Sequence, residues 1–218
     1  MPKRTLLAKA IALDNLRSAW SKVAENQGGA GVDKMSLKRF QRDAEKNLML
    51  LQQAVRGNTY KPKRLKQFRF PKADGQWRVI SVPCVADRVL QRAVLNVLLW
   101  RIDPQFLDCS FGYRPERGLP DAVEKIVEHR NAGLTWVLDA DIDLFFDSLD
   151  HELLTQFLRE EIDDAGVLDL IALWLKAWRN DPQRAVGVPL GAAMSPLLSN
   201  LYLHRLDRAL TDAGFALV

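Results

Sequence analysis

Asp139, Asp141 and Asp143 stand at a spacing of two within the stretch Thr135 to Asp150. On an extended chain that spacing places all three carboxylates on one face. Like charges that close repel one another unless a cation or solvent neutralises them. Hard cations such as Mg²⁺ favour a few carboxylate oxygens together with substrate phosphates. Charge alone reads equally well as an acidic strand end facing water. Trp136, Val137 and Leu138, just upstream, read as a short buried strand that would position the acids.

The charge of the whole chain is uneven. Residues 1–78 hold 18 Lys/Arg and 6 Asp/Glu, a net of +12, and residues 79–218 hold 13 and 21, a net of −8. A basic half beside an acidic half points to polyanion binding on one side and cation handling on the other. Within the basic half, residues 56–78 carry eight Lys/Arg against the single acid Asp74. Two strands are expected there, Leu65 to Phe70 and Trp77 to Val82, with Asp74-Gly75 as a hairpin turn. Phe68, Phe70 and Trp77 interleave with the cations, which suits contact with phosphates and bases, or ordinary strand packing.

At 218 residues, 48% hydrophobic and 27% charged, the chain can bury a sizeable core as one domain or two closely packed subdomains. Cys84 and Cys109 form no metal or redox spacing, and neither do His129, His151 and His204. No apolar run approaches membrane-spanning length, so no membrane partner is expected. Lys9 breaks the apolar start and no small-residue cleavage site follows, so the first residues read as a helix and a cytoplasmic setting is expected.

The positioning elements follow from periodicity. One helix is expected over 5–25, and a second follows Ser36, an N-cap, and stops at Gly57. Further helices are expected over Asp87 to Arg101, Leu119 to Asn131, His151 to Glu161 (capped by Asp150), 167–178 and Ser195 to Asp212. In the last, Ser195-Pro196 reads as N-cap and N1. Phe215 to Val218 reads as the start of a strand. No repeat and no flexible linker separates independent domains.

Five blocks, in order, resemble the reverse transcriptases of group II introns and their bacterial relatives. They are Gly28-Gly29-Ala30-Gly31-Val32-Asp33 with Asn58 to Pro62; Phe70-Pro71-Lys72 with Asp74-Gly75, Arg78 and Asp87-Arg88 through Gln91; Ser110 to Pro115 with Arg117; Asp139 to Ile142 with Phe145-Phe146-Asp147 and Asp150-His151; and Gly187-Val188-Pro189 with Gly191, Ser195 to Leu198 and Asn200 to Leu203. The resemblance implies an α/β right-hand polymerase fold. Residues 1–134 would be mainly helix-rich fingers with a β-hairpin. Residues 135–218 would be a partial palm carrying a helical insertion at about 151–186.

The implied function is RNA-directed DNA synthesis, with an RNA template, a DNA or RNA primer and dNTPs as partners. Asp141 would bind both of two Mg²⁺ ions (or Mn²⁺), helped by the carbonyl of Ile142, with Asp139 and Asp143 as electrostatic neighbours. Leu144 and Phe145 would offer backbone N–H groups to the triphosphate, and Phe146 would pack against the sugar 2′ position. Lys72 and Arg78 would grip the triphosphate, while Leu190 and Gly191 would border the nucleotide. Lys61, Lys63, Arg64 and Lys66 would contact nucleic acid, with Arg114 and Arg117 as further template or phosphate contacts.

Two departures accompany the resemblance. Position 190 is Leu where the family usually has Gln, and Leu cannot hydrogen-bond there. A divergent branch, such as the CRISPR-associated enzymes, is one explanation. The family's Tyr-x-Asp-Asp hairpin and thumb would lie beyond Val218, so this stretch by itself is expected to be inactive. A non-catalytic RNA-binding maturase module, and an enzyme serving spacer acquisition or phage defence with Cas1/Cas2 proteins in place of intron RNA, are the alternatives.

Overall fold

The computed structural model describes residues 5–71, 75, 77–179 and 185–218. It opens with α1 (Leu6–Ala10), capped by Thr5, whose hydroxyl oxygen accepts from the Ala8 N–H. The helix expected over 5–25 is interrupted here, and α2 (Leu13–Glu25) starts afresh after an extended Ala12. The cause is capture of backbone carbonyls by side chains. Asn15 Nδ2 donates to Ala10 O at 2.8 Å, and Gln52 Nε2 donates to Ile11 O at 2.6 Å. The second expected helix is divided in the same way into α3 (Leu37–Arg42), capped by Ser36, and α4 (Ala44–Arg56). At the break Asn47 Nδ2 holds Phe40 O at 3.1 Å and Asp43 leaves helical geometry.

Strands β1 (Lys66–Pro71) and β2 (Trp77–Val82) form an antiparallel hairpin in which Phe68 faces Ile80 and Phe70 faces Arg78. Asp74 of the expected turn lies outside the described residues, as does Lys72; Gly75 takes the left-handed φ of 81°.

The centre of the molecule is α5 (Val85–Ile102), whose Val85, Val89, Leu90, Ala93, Val94 and Leu98 are fully buried. Helices α1, α2 and α4 pack against it. Gly31 lies against the start of α5, where any Cβ would come within 2.7 Å of Cys84 Cα. A short 3₁₀ turn (Asp103–Gln105) follows α5. Then come α6 (Leu119–Asn131), α7 (Phe145–Ser148), α8 (His151–Glu161), α9 (Ala165–Trp178) and α10 (Ser195–Asp212). Helix α10 packs on both α5 and α8, and α9 packs on α8 and α1, so one core joins the early and late parts of the chain. Inside that core, Trp174 Nε1 donates to Tyr60 Oη, and Tyr60 donates to Asp87 at 2.7 Å. Desolvation raises the Asp87 carboxyl above its usual range, while the Tyr60 hydroxyl bond opposes that rise.

Three expectations are corrected. Trp136, Val137 and Leu138 form no strand and are almost fully exposed, at 96%, 83% and 89%. A strand needs a neighbour for its N–H and C=O groups, and no described residue pairs with this stretch. Phe215 to Val218 form no strand for the same reason. Ser195 is not the N-cap of α10 but its first residue; its hydroxyl donates to Pro189 O at 2.8 Å.

Candidate functional site

Asp139, Asp141 and Asp143 are exposed on an unpaired stretch of backbone. Leu144 then takes a left-handed conformation, φ 48° and ψ 35°. That geometry is costly for a branched residue and forces a sharp change of direction. Asp147 N–H closes the turn on Leu144 O at 2.9 Å. The turn starts α7 and delivers two aromatic rings to different neighbours. Phe145 meets Tyr202 at 6.3 Å between ring centroids. Phe146, edge-on to Phe145, lines a cavity of about 460 Å³ that Leu190, Gly191, Val82 and Tyr113 also line. Both rings are half-buried against the core.

The Gly187 to Gly191 segment is held in place from both sides. Val188 N–H donates to Phe146 O at 2.7 Å, Gly187 N–H to Leu149 O at 2.8 Å, and Ser81 N–H on β2 to Leu190 O at 2.9 Å. A Cβ at Gly191 would sit 2.9 Å from Ser81 O, and its φ is 106°. Glycine there permits both the close approach and the left-handed backbone. The segment thereby ties α7, the hairpin and α10 into one unit behind the cavity. His151 adds to it, its Nε2 lying 2.7 Å from Gly187 O.

The cations fall into two groups. Lys61, Lys63, Arg64, Lys66 and Arg78 are all exposed on the hairpin and its approach. Lys63 Nζ pairs with Asp33 at 3.3 Å, and Lys66 Nζ lies 4.9 Å over the Phe68 ring. Phe68, Phe70 and Trp77 are themselves 37%, 49% and 62% exposed, so the hairpin presents rings and cations together. Arg114 is different. It is buried, and its five N–H groups go to Asp103 Oδ1, Asp103 Oδ2, Asp103 O, Leu107 O and Ser110 O. A guanidinium has five donors, so none remains for a template phosphate, and Arg114 is a clamp for its loop. Arg117 is tied to Asp108 at 2.6 Å, which holds the Asp108 carboxyl below its usual range.

Asp141 offers hard oxygen donors with no hydrogen bond or ion pair among the described residues, which fits a Mg²⁺ ligand. Those residues nevertheless bring no three metal-ligating side chains together. Asp141 alone would be one ligand of such a site, and a complete one needs others.

The sequence reading missed part of the cavity wall. Lys22, Arg88 and Arg92 line it, as do Gly28 and Gly29. The available signal was the spacing of Arg88 and Arg92, one helical turn apart on α5.

The sequence profile described as "Reverse transcriptase (RNA-dependent DNA polymerase)" matches residues 70–217. The chain belongs to that family. It is 32% identical to Protein YkfC of Escherichia coli (strain K12) over 202 residues, 88% of this chain and 52% of that one. It is 31% identical to the group II intron-encoded protein LtrA of Lactococcus lactis subsp. cremoris over 171 residues, 76% of this chain and 28% of that one. The chain thus spans about half, or less, of the length of these relatives. A solved structure titled "Partial Cas6-RT-Cas1--Cas2 complex" shares the fold, with a TM-score of 0.63 at 23% identity, covering 99% of this chain and 37% of that one. No helix among the described residues is long and apolar enough to cross a membrane.

Proposed function

We propose that the chain supplies the fingers (residues 1–134) and part of the palm (residues 135–218) of an RNA-directed DNA polymerase. The observation that carries this reading is the cavity where Phe146 meets Leu190 and Gly191, reached from Asp141 through a forced left-handed turn at Leu144. The incoming dNTP sits there, with Phe146 against the sugar and the backbone N–H groups of Leu144 and Phe145 toward the triphosphate. Arg78, together with Lys72, neutralises triphosphate charge. Lys61, Lys63, Arg64 and Lys66 hold nucleic acid through its phosphates. Asp141 and the Ile142 carbonyl would hold Mg²⁺, or Mn²⁺, which supplies charge neutralisation at the reacting phosphate.

In the reaction the primer 3′-oxygen bonds to the α-phosphorus, the bond to pyrophosphate breaks, and the hydroxyl proton leaves to solvent. The chain's part is positioning and electrostatics. An RNA template and a DNA or RNA primer are the macromolecular partners; intron RNA or Cas1/Cas2 proteins join them according to the biological role. Templated primer extension by the full-length protein tests the reading, since this stretch by itself is expected to be inactive. There Asp141→Asn should abolish incorporation, and extension by that variant at the wild-type rate would sink the proposal.

A second reading, an RNA-binding module without catalysis, is favoured by one observation: Leu190 stands where a hydrogen-bonding side chain is expected. On that reading the wild-type protein binds RNA and extends no primer.

A further inference from the structure

The cavity that Phe146 and Leu190 line has a second, cationic wall. Arg88 and Arg92 stand one turn apart on α5, and Lys22 reaches in from α2. No described residue lining the cavity is acidic.

Arg88 is 9% exposed. Its Nη2 donates to Gly29 O at 2.7 Å, and its Nε is buried with no partner. None of the ion pairs among the described residues involves Arg88 or Arg92. Asp33 acts on Arg88 through space, but its carboxylate is already engaged by Met35 N–H and by Lys63. A guanidinium buried without a counter-charge is costly, and desolvation pulls its pKa below the ordinary value. A ligand oxyanion supplies the missing charge.

The surrounding geometry keeps that guanidinium where it is. A Cβ at Gly28 would lie 2.4 Å from Arg88 Nη1, so the Gly28-Gly29 loop rests directly on the fork. Among the described residues Arg92 spends only Nε, on Asn96 Oδ1 at 3.0 Å. Lys22 pairs with Glu25 at 3.0 Å at the surface, a bond weak enough to exchange. Tyr113 and Phe146 line the same cavity and offer rings against which a base can lie.

We propose that Lys22, Arg88 and Arg92 form a phosphate subsite for a nucleotide unit whose base lies toward Tyr113 and Phe146. The unit is either one nucleotide of a bound strand or a free nucleoside triphosphate. The inference rests on the placement of a nucleotide at Phe146 and Leu190, and adds where its phosphate goes.

The test is binding without catalysis. Fluorescence anisotropy in chelator, free of divalent metal, follows a labelled single-stranded RNA and a labelled dNTP on wild-type protein, Arg88→Met and Arg92→Gln. Arg88→Met should bind at least one ligand about tenfold more weakly while melting at or above the wild-type temperature, because it removes an unpaired buried charge. Arg92→Gln should weaken the same ligand. If RNA alone is affected, with a salt slope shallower by about one, the phosphate belongs to a strand. If the triphosphate alone is affected, it belongs to the incoming nucleotide. Unchanged affinity for both ligands in Arg92→Gln overturns the proposal, whether Arg88→Met folds or not. Primer extension by Asp141→Asn in the full-length protein is read separately: if it persists, the catalytic reading fails while the subsite stands.

Discussion

Arg114→Met separates a clamp from a ligand contact. The Arg114 side chain is 4% exposed and that of Asp103 is 20% exposed. Methionine fills much of the volume but returns none of the five hydrogen bonds, so the substitution strands the Asp103 carboxylate and the carbonyls of Asp103, Leu107 and Ser110. Removing one partner of a buried ion pair costs about 3–5 kcal/mol. Because water can still reach part of Asp103, the lower end, about 3 kcal/mol, is expected. At an m-value of about 2–3 kcal/mol/M the urea midpoint should then fall by about 1–1.5 M. Adding Asp103→Leu should recover part of that loss, since the stranded charge is then gone. The RNA salt slope, measured where both proteins are folded, should stay at the wild-type value because no free donor is lost. An unchanged midpoint together with weakened RNA binding would show Arg114 reaching the ligand and refute the clamp.

Phe146→Val should reduce discrimination between a deoxynucleotide and its ribonucleotide by about tenfold in kcat/KM, about 1.4 kcal/mol; lost stability with discrimination intact would make Phe146 a core residue only. Neutralising Lys61, Lys63, Arg64 and Lys66 should weaken RNA of every sequence and flatten the salt slope, with Lys63 contributing least because Asp33 already holds it. An unchanged slope would make the basic approach a solvated face. His151 is buried, and desolvation holds its pKa below the ordinary imidazole value of about 6.5. Its folded value lies below its unfolded one, so it contributes stability above about pH 6.5 that is lost as pH falls through the folded value. Urea midpoints at falling pH should drop, and drop less in His151→Gln; His204, lowered by desolvation too, supplies a further part. Equal drops in wild type and variant would remove His151 from the account.

Elements closed by their own residues were legible in the sequence. Helices α6, α8 and α10 have the bounds that periodicity expects, and in α8 the Asp150 side chain accepts from Glu152 N–H and Leu153 N–H. Breaks made by distant side chains were not legible. Gln52, in the second helical stretch, opens the first by taking Ile11 O. Loop arginines were ambiguous for a similar reason, because a cation near Ser110 to Gly118 reads alike whether it faces phosphates or carbonyls. The Phe146, Leu190 and Gly191 grouping and the Asp87-Arg88 stretch were both available through motif order, but motif order does not say that Arg88 borders the same cavity as Phe146.

The two sides of the site differ in what holds them. Phe146 and Leu190 are fixed by Val188 N–H on Phe146 O and by Ser81 N–H on Leu190 O, with Ser195 pinning Pro189 between them. Asp141 has no comparable restraint, because residues 135–142 form no ladder with any described residue. Catalytic groups must be held within about 0.5 Å of their working geometry, and a free extended backbone does not achieve that. Beside it Trp136, Val137 and Leu138 are exposed, and Val123, Ile126 and Val127 of α6 are about half exposed. Pairing another backbone with this stretch would satisfy its N–H and C=O groups and fix the carboxylates in one act. On the proposed reading, the nucleotide side is therefore preorganised while the carboxylate side is conditional. Nucleotide affinity should accordingly depend on Phe146 and the glycine-bordered segment, and divalent-metal affinity on whether residues 135–142 are paired.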